Sequence, residues 1–199
     1  MSAENTGTAA STWNVANVLT LSRMVLVPLF VVALFVAETQ GVPWRIAATV
    51  IFVVASVTDQ VDGWVARRYG LVTDFGKVAD PIADKALIGG ALIGLSVLGE
   101  LAWWITATIA AREIGVTVLR FWVIRYGVIP ASRGGKAKTL AQIAAIVLYL
   151  IPLGEGADPV RWVLIGLALV LTVVTGLEYA VRAVRLRANA RREEAGRGE

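Results

Sequence analysis

The chain has 199 residues, of which 57% are hydrophobic and 17% charged, whereas soluble domains run at roughly 45–50% apolar and 25% charged. This balance excludes an ordinary soluble globule and points to a multi-pass membrane protein. The formal charge is +4, and the absence of cysteine and histidine excludes disulfide, thiolate and imidazole chemistry, leaving carboxylates as the natural general bases.

Residues 1–13 are small and polar and carry no basic stretch of the kind that opens a signal peptide, so they read as a disordered cytoplasmic tail. Six apolar segments follow, at about 19–37, 44–65, 78–98, 102–124, 138–153 and 162–181. Most approach the roughly 20 residues needed to cross a bilayer, and the fifth is short. Nothing alternates as a barrel strand would, so the expected fold is an all-α integral membrane protein with six transmembrane helices. Its helical domain spans residues 14–185, and residues 186–199 form a basic C-terminal tail.

Loop charges orient these spans. One set of ends carries Arg67, Arg68 and Lys77, then Arg125, Arg133, Lys136 and Lys138, then Arg182 to Arg192. The opposite ends carry Arg45 and Arg161 as their basic residues, beside Glu38, Glu100, Glu155 and Asp158. The basic side is the expected cytoplasmic side, which puts both termini inside. Trp44, Trp103, Trp104 and Trp162 stand where spans two, four and six begin on the outer side, as in an aromatic belt. The arginines after Arg182 read as a positive-inside anchor drawn to anionic lipid.

The junction of spans two and three holds the densest chemistry. Asp59 and Asp62 are three apart and share a helix face with Gly63 and Ala66; Asp80 and Asp84 are four apart on the next helix. Ionisable residues among membrane spans are functional by default. Four gathered carboxylates repel unless cations neutralise them, and hard oxygen donors suit Mg²⁺ or Mn²⁺. A divalent pair in such a clamp suits displacement at phosphorus. Asp80 precedes Pro81, a pairing expected in the first turn of a helix, where the N-terminal dipole would favour a bound diphosphate. The plain alternative, solvated helix ends, explains acids at that position but not the fixed Gly, Ala and Arg spacing.

The pattern DxxDGxxAR(x8)GxxxDxxxD, complete here from Asp59 to Asp84, resembles the signature of the CDP-alcohol phosphotransferases. The resemblance implies attack of an alcohol on CDP-diacylglycerol with release of CMP, assisted by two divalent ions. It implies Asp59, Asp62, Asp80 and Asp84 as metal ligands, with Asp84 also the base that takes the proton of the incoming hydroxyl. Thr58, Asp62, Gly63, Ala66, Arg67, Gly76 and Asp80 would contact CDP-diacylglycerol. For Gly63, Ala66 and Gly76 the alternative is close helix packing by small residues. For Arg67 it is the positive-inside bias.

A second constellation concerns the acceptor. Span four carries Arg112 and Glu113, then Thr117 and Arg120; span five opens with Lys136, Lys138 and Gln142. These stretches are similar to the ARE…T…R and GKxKTxxQ segments of the bacterial phosphatidylglycerophosphate synthase branch. Asn17 to Arg23 resembles its PNxLTxxR opening, with Ala16 in place of the usual proline. Arg112, Glu113, Thr117, Arg120, Lys136 and Lys138 are the expected glycerol 3-phosphate residues. The alternative for Glu113 is a structural ion pair with Arg112 or Arg120.

The expected function is transfer of a phosphatidyl group from CDP-diacylglycerol to glycerol 3-phosphate. It would take place in a bacterial inner membrane, with the active site facing the cytoplasm, by a homodimer among membrane lipids and with no nucleic-acid partner. Rival readings are a cardiolipin synthase or phosphatidylinositol-phosphate synthase, which would share the acids. A cation transporter would place its acids near the bilayer midplane, and a non-catalytic lipid-binding scaffold would not need spaced acids.

Overall fold

The computed structural model describes residues 15–69, 74–124 and 133–196, with side chains at residues 21–61, 83, 85–124, 134–154 and 156–190. The expected tail at residues 1–13 lies outside the described residues. Among the described residues the chain is all-helical, with α1 (Val15–Gln40), α2 (Val42–Tyr69), α3 (Asp74–Val97), α4 (Trp103–Val123), α5 (Arg133–Leu150) and α6 (Asp158–Gly196). A short 3₁₀ turn, Glu155–Ala157, precedes α6. The chain divides into two compact units whose boundary falls between Ala91 and Leu92, inside α3.

In the first unit α1 and α2 form a helical hairpin closed by one residue. Gly41 takes φ +79°, and its N–H donates to the Ala37 carbonyl at 2.9 Å. This is a left-handed helix stop that a Cβ would strain. The packed stripe of α1 is Phe30, Ala33, Leu34 and Ala37; that of α2 is Ala48, Phe52 and Ala55. The i, i+3, i+4, i+7 spacing puts each stripe on one face, and the alanines let the helices approach closely. Phe30 and Phe52 meet with ring centroids 5.4 Å apart at 52°. The opposite faces expose Leu29, Val32, Val50, Val54 and Val57, as helices bathed in hydrocarbon require.

The second unit opens with the end of α3, which stops at Gly99 (φ +74°). Gly99 N–H reaches the Ser96 carbonyl at 3.2 Å and Glu100 N–H the Leu95 carbonyl at 2.9 Å. These paired 5→2 and 6→1 bonds are a Schellman stop. The buried hydroxyls of Ser96 and Thr106, 2.7 Å apart, tie α3 to α4. The chain then packs α6 against both α4 and α5. Arg161 closes the α5–α6 connection by donating to the carbonyls of Leu148, Ile151 and Leu153 and to Asp158.

All six expected apolar segments fall on helices, and among the described residues three stretches are long and apolar enough to cross a membrane: Leu21–Gln40 of α1, Val42–Val61 of α2 and Asp158–Ala190 of α6. Along the described side chains of α3 the apolar stretch is Lys85–Val97. Arg112, Glu113 and Arg120 lie within α4, and α5 starts with Arg133, Lys136 and Lys138. Arg112, Glu113, Arg120, Lys136 and Lys138 are residues that the sequence marks as functional. One expectation is corrected: α3 begins at Asp74, so Asp80 and Pro81 lie in its interior rather than its first turn. A membrane helix tolerates the carbonyl that Pro81 leaves without its N–H, and α1 likewise runs through Pro28.

Candidate active site

The acid motif is carried by two unbroken helices. Asp59, Asp62, Gly63 and Ala66 follow one another at i, i+3, i+4 and i+7 on α2; Gly76, Asp80 and Asp84 follow at i, i+4 and i+8 on α3. Each set therefore lies along one helix face. The side chains of Asp62, Gly63, Ala66, Arg67, Gly76, Asp80 and Asp84 lie outside the described residues.

Asp59 is half-buried, with 29% of its side chain exposed, and its Oδ1 accepts from Nη1 of Arg23, whose side chain is 1% exposed. Arg23 is the last residue of the Asn17–Arg23 segment, which the sequence marked without giving its arginine a partner. A guanidinium buried in an apolar hairpin needs a countercharge. The antiparallel run of α1 and α2 supplies it from the first acid of the motif. Thr58 is half-buried beside it. One turn earlier on α2, Ser56 is buried, and its hydroxyl has no hydrogen-bond partner among the described residues.

The donor set suits a hard divalent cation. The four motif acids stand at one-turn positions along α2 and α3, and Asp59, whose side chain is described, is partly exposed and paired with the Arg23 guanidinium. Carboxylate oxygens are what Mg²⁺ and Mn²⁺ take.

The second unit assembles another cluster. On α4, Arg112 donates through Nη1 to Glu113 Oε1 at 2.9 Å, through Nε to the Thr172 carbonyl at 3.0 Å and through Nη2 to Thr175 Oγ1 at 2.9 Å. From α5, the buried Lys138 donates to the same Glu113 oxygen. Gln142, one turn along α5 and buried, donates to Thr172 Oγ1 at 3.1 Å. Two cations share one carboxylate, so the trio is left with a net positive formal charge. A net positive cluster recessed in an apolar protein is a ready anion site.

Of the expected acceptor residues, Arg112, Glu113 and Lys138 come together. Thr117 lies one turn along α4, its hydroxyl donating to the Glu113 carbonyl at 2.7 Å. Arg120 and Lys136 are exposed and stand outside this trio. The ion pair of Glu113 with Arg112 is present, and its other partner is Lys138 rather than Arg120. Sequence reasoning missed the α6 side of the cluster. Its signal was Thr172, Thr175 and Gly176, a polar and small triplet at i, i+3 and i+4 in an otherwise apolar span.

The family model for CDP-alcohol phosphatidyltransferases matches residues 13–174, which contain both clusters apart from Thr175 and Gly176. The chain belongs to this family. It is 53% identical over 172 residues to a probable phosphatidylglycerophosphate synthase of Mycobacterium tuberculosis, covering 86% of this chain and 82% of the relative. It is 37% identical over 180 residues to the CDP-diacylglycerol–glycerol-3-phosphate 3-phosphatidyltransferase of Bacillus subtilis, covering 84% and 93%. The like-named protein of Escherichia coli is 37% identical over 174 residues, with the same coverage.

Proposed function

We propose that this chain transfers the phosphatidyl group of CDP-diacylglycerol to glycerol 3-phosphate, forming phosphatidylglycerophosphate and CMP. The observation that carries this reading is the similarity over most of both chains to relatives named for that reaction. The acid motif and the net-positive cluster on α4 and α5 support it chemically. Asp59, Asp62, Asp80 and Asp84 would hold a divalent pair, Mg²⁺ or Mn²⁺. When bound, such a pair withdraws charge from the diphosphate and stabilises the departing CMP.

The protein's own residues supply the rest. Arg23 holds the Asp59 carboxylate in one orientation. Asp84 takes the proton of the acceptor hydroxyl as its oxygen attacks phosphorus, and the bond to the CMP oxygen breaks. Thr58, Gly63, Ala66, Arg67 and Gly76 seat the cytidine diphosphate. Arg112 and Lys138 attract the dianionic phosphate of the acceptor, with Glu113 spacing them, and Thr117, Arg120 and Lys136 flank the approach. The remaining helices complete six spans with both termini cytoplasmic. The enzyme would lie in the inner membrane as a homodimer, with its active site open to the cytoplasm, where glycerol 3-phosphate is dissolved.

The test is CMP release by purified protein given CDP-diacylglycerol and glycerol 3-phosphate. Release is expected with Mg²⁺ or Mn²⁺ present, to stop in excess chelator and to return when the ion is restored. Asp84→Asn, which keeps the shape but cannot accept the proton, should stop release while CDP-diacylglycerol still binds. Undiminished turnover in chelator would remove the metal pair from the account, and wild-type turnover by Asp84→Asn would remove the base.

A further inference from the structure

The three α6 residues that touch the α4–α5 cluster lie in none of the sequence motifs. Thr172 and Thr175 turn their hydroxyl protons back along their own helix: Thr172 Oγ1 donates to the Ala168 carbonyl at 2.6 Å and Thr175 Oγ1 to the Leu171 carbonyl at 2.7 Å. Each oxygen is thereby left as an acceptor facing another helix. Thr172 receives Gln142 from α5, and Thr175 receives Arg112 from α4. The backbone carbonyl of Thr172 takes the Nε–H of the same arginine.

Gly176 completes the surface. A Cβ there would stand 2.9 Å from Arg112 Cγ and 3.1 Å from its Nε. The arginine stem lies in a space that only glycine leaves open.

Arg112 therefore has one edge, Nε and Nη2, bound to α6 and Nη1 bound to Glu113. Of the five N–H groups of a guanidinium, three are used. One on each terminal nitrogen is left without a partner among the described residues. A phosphate accepts charge-assisted bonds from N–H groups of this kind.

We propose that Thr172, Thr175 and Gly176 form a seat on α6 that fixes the Arg112 guanidinium for the acceptor phosphate, so that α6 sets the affinity for phosphorylated alcohols. This rests on the reading above in which Arg112 binds the phosphate of glycerol 3-phosphate. The three are positioning residues; none donates to the substrate. Orientation matters because a guanidinium held in place loses less freedom on binding than one that must be ordered.

The experiment measures kcat, the KM for each substrate and the melting temperature in detergent for Thr175→Val, Thr175→Ser, Gly176→Ala and Arg112→Ala. Thr175→Val keeps the shape and removes the acceptor oxygen, and Gly176→Ala pushes the arginine stem aside. Both are expected to raise the KM for glycerol 3-phosphate roughly tenfold, the scale of one hydrogen bond to a charged group, while leaving the KM for CDP-diacylglycerol unchanged. Thr175→Ser should behave as wild type because it keeps the hydroxyl. In an Arg112→Ala background, Thr175→Val should add nothing, since the two act through one contact.

A lowered melting temperature with both KM values unmoved, or moved alike, would show mere helix packing and overturn the seat. So would a Thr175→Ser variant as impaired as Thr175→Val. If Arg112→Ala raises the KM for glycerol 3-phosphate but the α6 variants do not, the seat alone falls. If Arg112→Ala leaves that KM unchanged, the acceptor assignment falls with it. Should Thr175→Val fail to reach the membrane, Gly176→Ala decides on the same criteria.

Discussion

The Arg23–Asp59 pair shows what a single residue contributes before any chemistry occurs. Arg23 is buried, and its countercharge is Asp59, an acid proposed above as a metal ligand. Removing one partner of a buried pair strands the other, at a cost of about 3–5 kcal/mol. The partial exposure of Asp59 places this pair toward the low end of that range. Arg23→Ala is expected to lower the melting temperature in detergent, and the double variant with Asp59→Asn should recover part of the loss. Equal melting temperatures for wild type and Arg23→Ala would show that the pair contributes nothing. The importance of Asp59 was legible from its spacing to Asp62 and Gly63. Its partnership with Arg23 was not, because the two are 36 residues apart and only the hairpin brings them together. For the same reason Glu113 could be paired on paper with Arg120, on its own helix, while its second partner is Lys138 on α5.

At the scale of elements, hydrophobic runs located all six helices because each buries or exposes a continuous apolar stripe. Boundaries were less legible where charge and apolar character overlap. The start of α3 lies before Asp80 and Pro81, since the turn from Asp74 already winds as helix. The end of α6 lies well past the sixth apolar segment, at Gly196. That extension explains one arginine of the basic stretch. Arg187 lies over the Trp122 ring of α4, 4.4 Å from guanidinium carbon to ring centroid. A contact of this kind is worth about 0.5–2 kcal/mol depending on solvation. Arg187→Gln should therefore quicken amide hydrogen exchange over residues 182–190 without changing exchange in α1 and α2. Unchanged exchange across α6 would mean that the stacking does not hold the extension, and that Arg187 serves only as a positive-inside charge.

For the whole molecule, composition gave the membrane class, and loop charge gave an orientation that can be tested. A chain without cysteine makes the test direct. A single cysteine at Ser11 should react with an impermeant maleimide only after the membrane is opened. One at Glu100, in the turn between α3 and α4, should react in intact spheroplasts. The reverse pattern would invert the topology and put the acid motif outside. Family membership was legible because the acid motif fixes residue type and spacing together. The α6 contribution was not, because Thr172, Thr175 and Gly176 match no motif and acquire meaning only against Arg112. The acceptor remains the central claim, and competition tests it most directly. Purified protein is given CDP-diacylglycerol, a divalent ion and equal amounts of glycerol 3-phosphate, inositol phosphate, serine and phosphatidylglycerol, and the lipid formed is identified by mass. Phosphatidylglycerophosphate is expected as the dominant product; a preference for inositol phosphate, or cardiolipin as the product, would contradict the acceptor assignment while leaving family membership intact.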